Sequence, residues 1–383
     1  MTIKPDSNKC IMERRKTMKK HRRALQAVLA ALMGGVLFLS GCGQDTSDTA
    51  KSTESEQDEG AAEGTIDPAD IKIGYIVKCL SNTTWQTYQA GAEAAAEELG
   101  VQLDVRDVKS EDDYVGQLDV ARGMVNQDYD AIVAASITNT NLIPAIAEAN
   151  EKGIPWIVVS ELQDEDVLKE YNAKVTCNCR LSFYDEGVIA GEYVIDQLGG
   201  EGEVAIIEGL TGTSATNDRI AGFTDTLEGS GIEIVASQPA DWLREEARDV
   251  TLGILQANPD IKAIYALNDT MALGCVAALT SAEKLDDVIV IGDDGTNEAF
   301  ESIKNGEMSA TVDGVAWQIA YFSVHAAVKA VVEGADTLED YDLTPGLITA
   351  ENVDEAIAEA PKPVEEMFEI NKNTYLPIEG ITE

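Results

Sequence analysis

Short, almost unbroken apolar runs alternate along this chain with longer stretches in which apolar residues recur every three or four positions. The runs 71–77, 101–105, 131–135 and 156–159 read as β-strands, and the stretches 85–99, 114–127 and 142–152 between them as amphipathic helices. Gly100, Gly153 and Pro155 mark turns. The pattern resumes in 204–207, 232–236, 263–266, 288–291 and 310–313, again with helical stretches between. Nearly continuous apolar strands separated by helices specify parallel sheets covered on both faces. So many strands exceed one small sheet, and the expected fold class is α/β with two doubly wound lobes, the first boundary falling at 176–182.

The chain before residue 70 does not share this pattern. Lys19, Lys20, Arg22 and Arg23 precede an apolar stretch from Ala24 to Leu39, which ends in Leu39-Ser40-Gly41-Cys42. Positive charge, then an apolar segment, then small residues is the order of an export signal. The stretch falls short of the roughly 20 residues needed to span a bilayer. Ser-Gly before Cys resembles a bacterial lipobox, in which Cys42 is acylated and becomes the mature N-terminus. Residues 1–41 are therefore expected to be a signal peptide, with Met18 an alternative start. Residues 42–69, rich in Ser, Thr, Asp, Glu and Gln, are expected to form a flexible acidic tether. The folded part is expected outside the cytoplasm, lipid-anchored to the bacterial cell membrane.

Charge narrows the class of partner. The chain has 28 Lys and Arg against 69 Asp and Glu, a formal net charge of −41. Nine of the basic and two of the acidic residues precede Cys42, leaving 19 against 67 beyond it. Such a surface repels phosphate backbones, so no nucleic-acid partner is expected. Cys79, Cys177, Cys179 and Cys275 lack paired zinc spacing; free buried thiols are expected, a disulfide being the alternative. Beyond the leader only His325 remains, in a helical apolar pattern. One histidine builds neither a His-rich metal site nor a triad away from the core, so neither a metal nor a cofactor is expected.

Doubly wound sheets bind ligands beyond the carboxyl ends of their strands. There the chain carries Lys78 to Trp85, Ser136 to Asn139, Ser160-Glu161, Gly209 to Asn217, Asn268-Asp269 and Asp293-Asp294. These residues are polar with a few aromatics, and they contain no glycine-rich phosphate cradle.

The segments Ala236-Ser237-Gln238-Pro239-Ala240-Asp241-Trp242, Asn268-Asp269-Thr270-Met271-Ala272-Leu273-Gly274 and Gly292-Asp293-Asp294-Gly295-Thr296 resemble the type 1 periplasmic binding proteins. Gly212-Thr213-Ser214-Ala215, Arg219 and Gly222-Phe223 add to the likeness, which runs from Ile71 to about Val353 and is nearest to the ribose- and galactose-binding group. The resemblance implies two Rossmann-like lobes joined by three crossovers that act as a hinge. It places one lobe at 70–180 plus 315–343 and the other at 181–314 plus 344–383. It also implies a monomer that binds a small sugar or polyol between the lobes and delivers it to the permease of an ABC transporter.

The ligand-binding residues expected on these grounds are Asn82, Trp85, Ser136, Ser160, Glu161, Asn217, Trp242, Asn268 and Asp294. Indoles cover the C–H faces of a sugar, while carboxylates and amides pair with its hydroxyls. Some have a plainer reading beside this one, Trp85 as helix packing and Asn268 as a helix cap; of their neighbours, Asp293 would cap a turn instead, and Lys78 would either offset an acid or extend a solvated stem. The chain also departs from the ribose-binding pattern. It has Ser160-Glu161 for an Asp-Arg pair, Asn217 for an Arg, and Gly314 for a Gln near the last crossover; Arg219 matches a more structural Arg. With two cationic forks gone, carboxylates near Trp85, Trp242 and Tyr184 would also suit a cationic ligand. A sensor with the same cleft is a rival reading. An enzyme using Asp293-Asp294 or Glu161 is a weaker one, since no nucleophile or metal set accompanies them. Repressors that share these lobes carry a DNA-binding headpiece where this chain has an export signal.

Overall fold

The computed structural model describes residues 66–335 and 338–359. The expected signal peptide, Cys42, the tether up to residue 65 and the tail beyond residue 359 lie outside the described residues.

The first lobe begins with β1 (Lys72–Ile76), α1 (Thr83–Leu99), β2 (Gln102–Arg106) and α2 (Tyr114–Val125). It continues through β3 (Ala131–Ala135), α3 (Ile143–Glu151), β4 (Trp156–Val159), α4 (Glu165–Glu170) and β5 (Cys177–Leu181). The second lobe holds α5 (Phe183–Leu198), β6 (Glu201–Glu208), α6 (Ser214–Leu227), β7 (Gly231–Pro239), α7 (Arg244–Ala257) and β8 (Ala263–Ala266). Next come α8 (Asp269–Ser281), β9 (Ile289–Asp293), α9 (Asn297–Lys304) and β10 (Ala310–Asp313). The chain then returns to the first lobe for α10 (Ala316–Glu333) and β11 (Tyr341–Leu343), and ends in the second with β12 (Gly346–Thr349) and α11 (Val353–Glu359).

Two six-stranded sheets result, in the orders β11-β5-β4-β3-β1-β2 and β12-β10-β9-β8-β6-β7. All pairings are parallel except β10 with β12, which is antiparallel. Every residue of β3, β4 and β8 is buried, as their apolar sequences require of strands covered on both faces. β5, β11 and β12 were not separately legible. The sequence of β5, Cys-Asn-Cys-Arg-Leu, alternates buried and partly exposed residues, and the other two span three and four residues. Cys79, Cys177, Cys179 and Cys275 are free and buried. His325 is buried in α10, and burial lowers its imidazole to about 4.

The chain passes between the sheets at Ser182, at Gly314-Val315 and at Thr344-Pro345. Val315 has φ 45°, in the left-handed region, and its N–H donates to Asp313 Oδ1 at 2.8 Å. In each sheet the order reverses beside the first strand of the lobe, at β1 and at β6. Such reversals leave crevices at the carboxyl ends of the strands.

Candidate functional site

The carboxyl ends of the two sheets border one cleft. Its lining comes from the loops after β1 (Lys78, Asn82), β2 (Glu111), β4 (Ser160), β7 (Trp242), β8 (Asn268) and β9 (Asp294), and from α1, α5, α6 and the start of α10. The empty space among these side chains is about 620 Å³, counting the part open to solvent.

Two indoles stand in it. Trp85 lies in the first turn of α1, against Tyr88 with ring centroids 4.9 Å apart, and its Nε1 donates to Glu111 Oε1 at 2.9 Å. Lys78 Nζ sits 5.2 Å from the Trp85 ring centre. Trp242 comes from a turn in which Asp241 and Trp242 both have positive φ, 51° and 67°. Gly209 makes room for it, since a Cβ there would overlap the indole.

Polar groups surround the indoles. Asn82 caps α1 through Thr84 N, and its Nδ2 donates to Glu111 Oε1 at 3.0 Å. Asn268 caps α8, accepting from Met271 N at 2.9 Å, so capping and cleft lining coincide in one side chain. Asp294, at φ 115°, accepts the Thr84 hydroxyl at 2.6 Å. That bond joins the lobes, as does the weaker one from Thr270 Oγ1 to Asn82 Oδ1 at 3.4 Å.

Behind Asp294 lies a buried ionic cluster. Arg219 Nε donates to Glu186 Oε2 at 2.8 Å, and its Nη2 is 3.1 Å from Asp293 Oδ1 and 3.7 Å from Asp294 Oδ1. Its Nη1 donates to Leu267 O at 2.9 Å. Asp293 also accepts the Tyr265 hydroxyl at 2.8 Å, so it belongs to this cluster and not to a turn cap. Asp269, at the start of α8, accepts from Thr296 N at 2.7 Å and Thr311 Oγ1 at 2.6 Å.

Burial pushes three of these carboxyls upward: Asp269 to about 8, Asp294 to about 7 and Asp313 to about 6. In the folded protein they hold protons that the unfolded chain releases near pH 4. Their stabilising contribution is therefore complete below that pH and is lost as pH rises through 6 to 8. The thermal midpoint is expected to fall by several degrees between pH 5.5 and pH 8.5, read by differential scanning fluorimetry. A midpoint that is flat or rises across this window would show that these carboxyls ionise normally.

Of the residues expected from sequence, the cleft brings together Asn82, Trp85, Ser160, Trp242, Asn268 and Asp294. Three others stand elsewhere. Ser136 is buried below, accepting from Gln163 Nε2 at 3.0 Å. Asn217 is exposed on α6, its short side chain outside the lining. Glu161 is fully buried between the lobes: its carboxylate accepts from Ser214 N at 3.2 Å, Ala215 N at 3.3 Å and the Ser214 hydroxyl, all at the start of α6. Lys78 Nζ lies 3.7 Å from it, so that lysine is buried beside an acid and not extended into solvent. Tyr184 is exposed, its hydroxyl donating to Asp225 at 3.0 Å.

Residues that sequence reading missed also line the cleft: Thr84, Tyr88, Glu111, Glu186 and Arg219. Arg219, matched only to a structural position, is the hub of the ionic cluster. Glu186 had a detectable signal, because it falls in phase with the buried stripe Gly187, Ala190, Gly191 and Val194 of α5.

Two doubly wound lobes, three crossovers and a polar, aromatic-flanked cleft between facing strand ends define a solute-binding protein of the type 1 architecture. Residues 73–336 match the model of the periplasmic binding protein domain, and the chain belongs to that family. It is 40% identical over 246 residues to the D-allose-binding periplasmic protein of Escherichia coli, covering 64% of this chain and 79% of that one. It is 31% identical over 265 residues to the D-ribose/D-allose-binding protein of Pseudomonas aeruginosa, covering 68% and 82%. Among solved structures, an ABC transporter periplasmic solute-binding protein from Actinobacillus succinogenes with bound D-allose superposes with a TM-score of 0.72 at 29% identity, over 75% of this chain and 100% of that one. A solute-binding protein from Bacillus halodurans with bound myo-inositol gives 0.69 at 30%, over 76% and 99%. These relatives bind and carry solutes; they are not enzymes.

Proposed function

We propose that this protein captures a small sugar or polyol in the interlobe cleft and delivers it to the permease of an ABC transporter. It does so as a monomer held to the bacterial cell membrane through an acylated Cys42. The observation that carries this reading is the pairing of Trp85 and Trp242 with amides and carboxylates drawn from both lobes. Indole faces take the C–H faces of a pyranose or cyclitol. Asp294 and Glu111 accept from its ring of hydroxyls, and the Asn268 amide donates to them. The lobes already meet through Thr84 and Asp294, so a ligand that touches both sides adds to contacts that favour closure. The names of the relatives, which speak of allose, ribose and inositol, support the sugar class.

A thermal-shift panel of pentoses, hexoses, cyclitols, amino sugars and quaternary amines on the full chain tests the reading. A ligand at a hundred times its Kd adds about 2.7 kcal/mol, enough for a shift of several degrees. A shift with a neutral sugar or cyclitol is expected. A shift with quaternary amines alone would overturn the sugar class, and no shift with any sugar would remove it.

A further inference from the structure

A second groove, more than twice the size of the ligand cleft, lies beside the second and third crossovers. Its empty space is about 1630 Å³, counting the part open to solvent, against about 620 Å³ in the cleft. Both lobes wall it: Thr87 and Ala90 of α1 and Trp317 of α10 from the first, Phe300 of α9, Ile348 of β12 and Ala356 of α11 from the second. Trp317 and Phe300 are buried, Ile348 and Ala356 half-buried, and Ala90 exposed, so apolar surface faces the open space. Asp294 stands in both spaces, and the groove therefore backs onto the ligand cleft.

Three helices begin at this groove, α1 at Thr83, α9 at Asn297 and α10 at Ala316. Asn82 caps α1 and Thr296 caps α9, but no side chain caps α10. The first turn of a helix offers N–H groups without intrahelical partners and favours negative charge. An occupant that fits would bring apolar side chains and carboxylates together.

The chain itself carries such a segment to the groove. Asn352, Glu355 and Ala356 line it at i, i+3 and i+4, and the same helical face comes round again at 359–360. The chain thus leaves α11 at the edge of the groove. The 24 residues 360–383 that follow have a reach of about 80 Å when extended, ample to cross it. In them Val364, Met367 and Phe368 recur in helical phase, with Glu365, Glu366 and Glu369 out of that phase, and Tyr375-Leu376-Pro377-Ile378 follows. The acidic stretch 42–69 has one large apolar residue, Ile66, whereas 360–383 has eight, enough surface to gain by burial.

We propose that residues 360–383 dock in this groove as a strap between the lobes, apolar side chains on Phe300, Trp317 and Ile348 and a glutamate toward the first turn of α10. A strap in that place holds the crossovers from behind the ligand.

Hydrogen exchange of the full chain, read by mass spectrometry, tests the contact. Phe368→Asp with Leu376→Asp is expected to speed exchange at least about tenfold in peptides covering 83–90, 316–319 and 346–356, and to leave α2 unchanged. Ala90→Arg, at an exposed helix position of the groove, is expected to speed exchange across 364–378 by a similar factor, and reads the same contact if the double variant does not fold. Groove peptides that exchange alike in parent and double variant would overturn the docking, as would tail peptides indifferent to Ala90→Arg. Faster exchange confined to 346–356 would overturn the strap, because the tail would then rest on one lobe only. Protection that appears only at high protein concentration, with a dimeric mass by light scattering, would give the groove to a second copy of the chain and overturn it too.

Discussion

Asp294→Ala is expected to weaken ligand binding by at least about thirtyfold while the protein still folds. Asp294 is the one cleft carboxylate that accepts from the opposite lobe, through the Thr84 hydroxyl at 2.6 Å, while facing Arg219 on its own. Its removal deletes an interlobe bond, a partner for ligand hydroxyls and one neighbour of a buried guanidinium at once. Above pH 7, where Asp294 is ionised, truncating one member of this buried, hydrogen-bonded charged set costs about 2–5 kcal/mol, or roughly thirty- to several-thousandfold in affinity. Arg219 keeps Glu186 and Asp293, and so the fold is expected to survive. Titration with a sugar from the panel, beside a thermal scan of the unliganded variant, separates the two effects. Unchanged affinity would take Asp294 out of the site. Lost affinity with a collapsed midpoint would make it a folding residue.

The second large effect is expected at Glu161. Its carboxylate belongs to the first lobe yet accepts two backbone N–H groups and a hydroxyl at the start of α6, in the second. Donors at a helix N-terminus favour a negative charge, and charge-assisted hydrogen bonds are worth about 1.5–3 kcal/mol each when buried. Glu161 therefore holds the lobes together without any ligand. In Glu161→Gln the amide keeps one acceptor oxygen, turns its N–H₂ toward the remaining donors and leaves Lys78 without its carboxylate. A loss of about 2 kcal/mol shifts the closed-to-open ratio roughly thirtyfold toward open. Small-angle scattering should show the unliganded variant larger than the parent, and sugar affinity should fall about tenfold or more. If both forms have the same radius of gyration and the same affinity, the contact does not bias closure.

How far the sequence carried this reading depended on the kind of signal each element sends. β3, β4 and β8 are continuous apolar segments, and their observed bounds, like those of β10, coincide with the expected runs. β5 escaped because Asn178 and Arg180 interrupt its apolar pattern at an edge that β11 covers. Of the legible cleft residues, Ser160, Asn268 and Asp294 stand one or two positions after strands, where topology assigns them a place. Asn82, Trp85 and Trp242 lie further along the chain and were reached through the family resemblance. Glu111 and Glu186 were not legible. One sits within the loop between β2 and α2, and the other inside a helix of the crossover region, where local pattern does not indicate the cleft. Ser136 and Glu161 show the opposite limit. Each follows a strand as expected, but backbone direction after the strand decides whether a side chain meets ligand, core or the other lobe, and periodicity carries no record of it.

Val315, at the second passage between the lobes, has a mechanical consequence. A β-branched residue at φ 45° is strained by about 1–2 kcal/mol relative to the right-handed region, and here a hydrogen bond to Asp313 holds it there. That strain is stored in the form whose lobes touch. Any rotation that lets Val315 fall back releases it, so the crossover behaves as a wound spring opposing the Glu161 contact. With the cleft empty, the strain at Val315 offsets part of the Glu161 contact, so less solute binding energy is needed to tip the lobes than the contact alone would suggest.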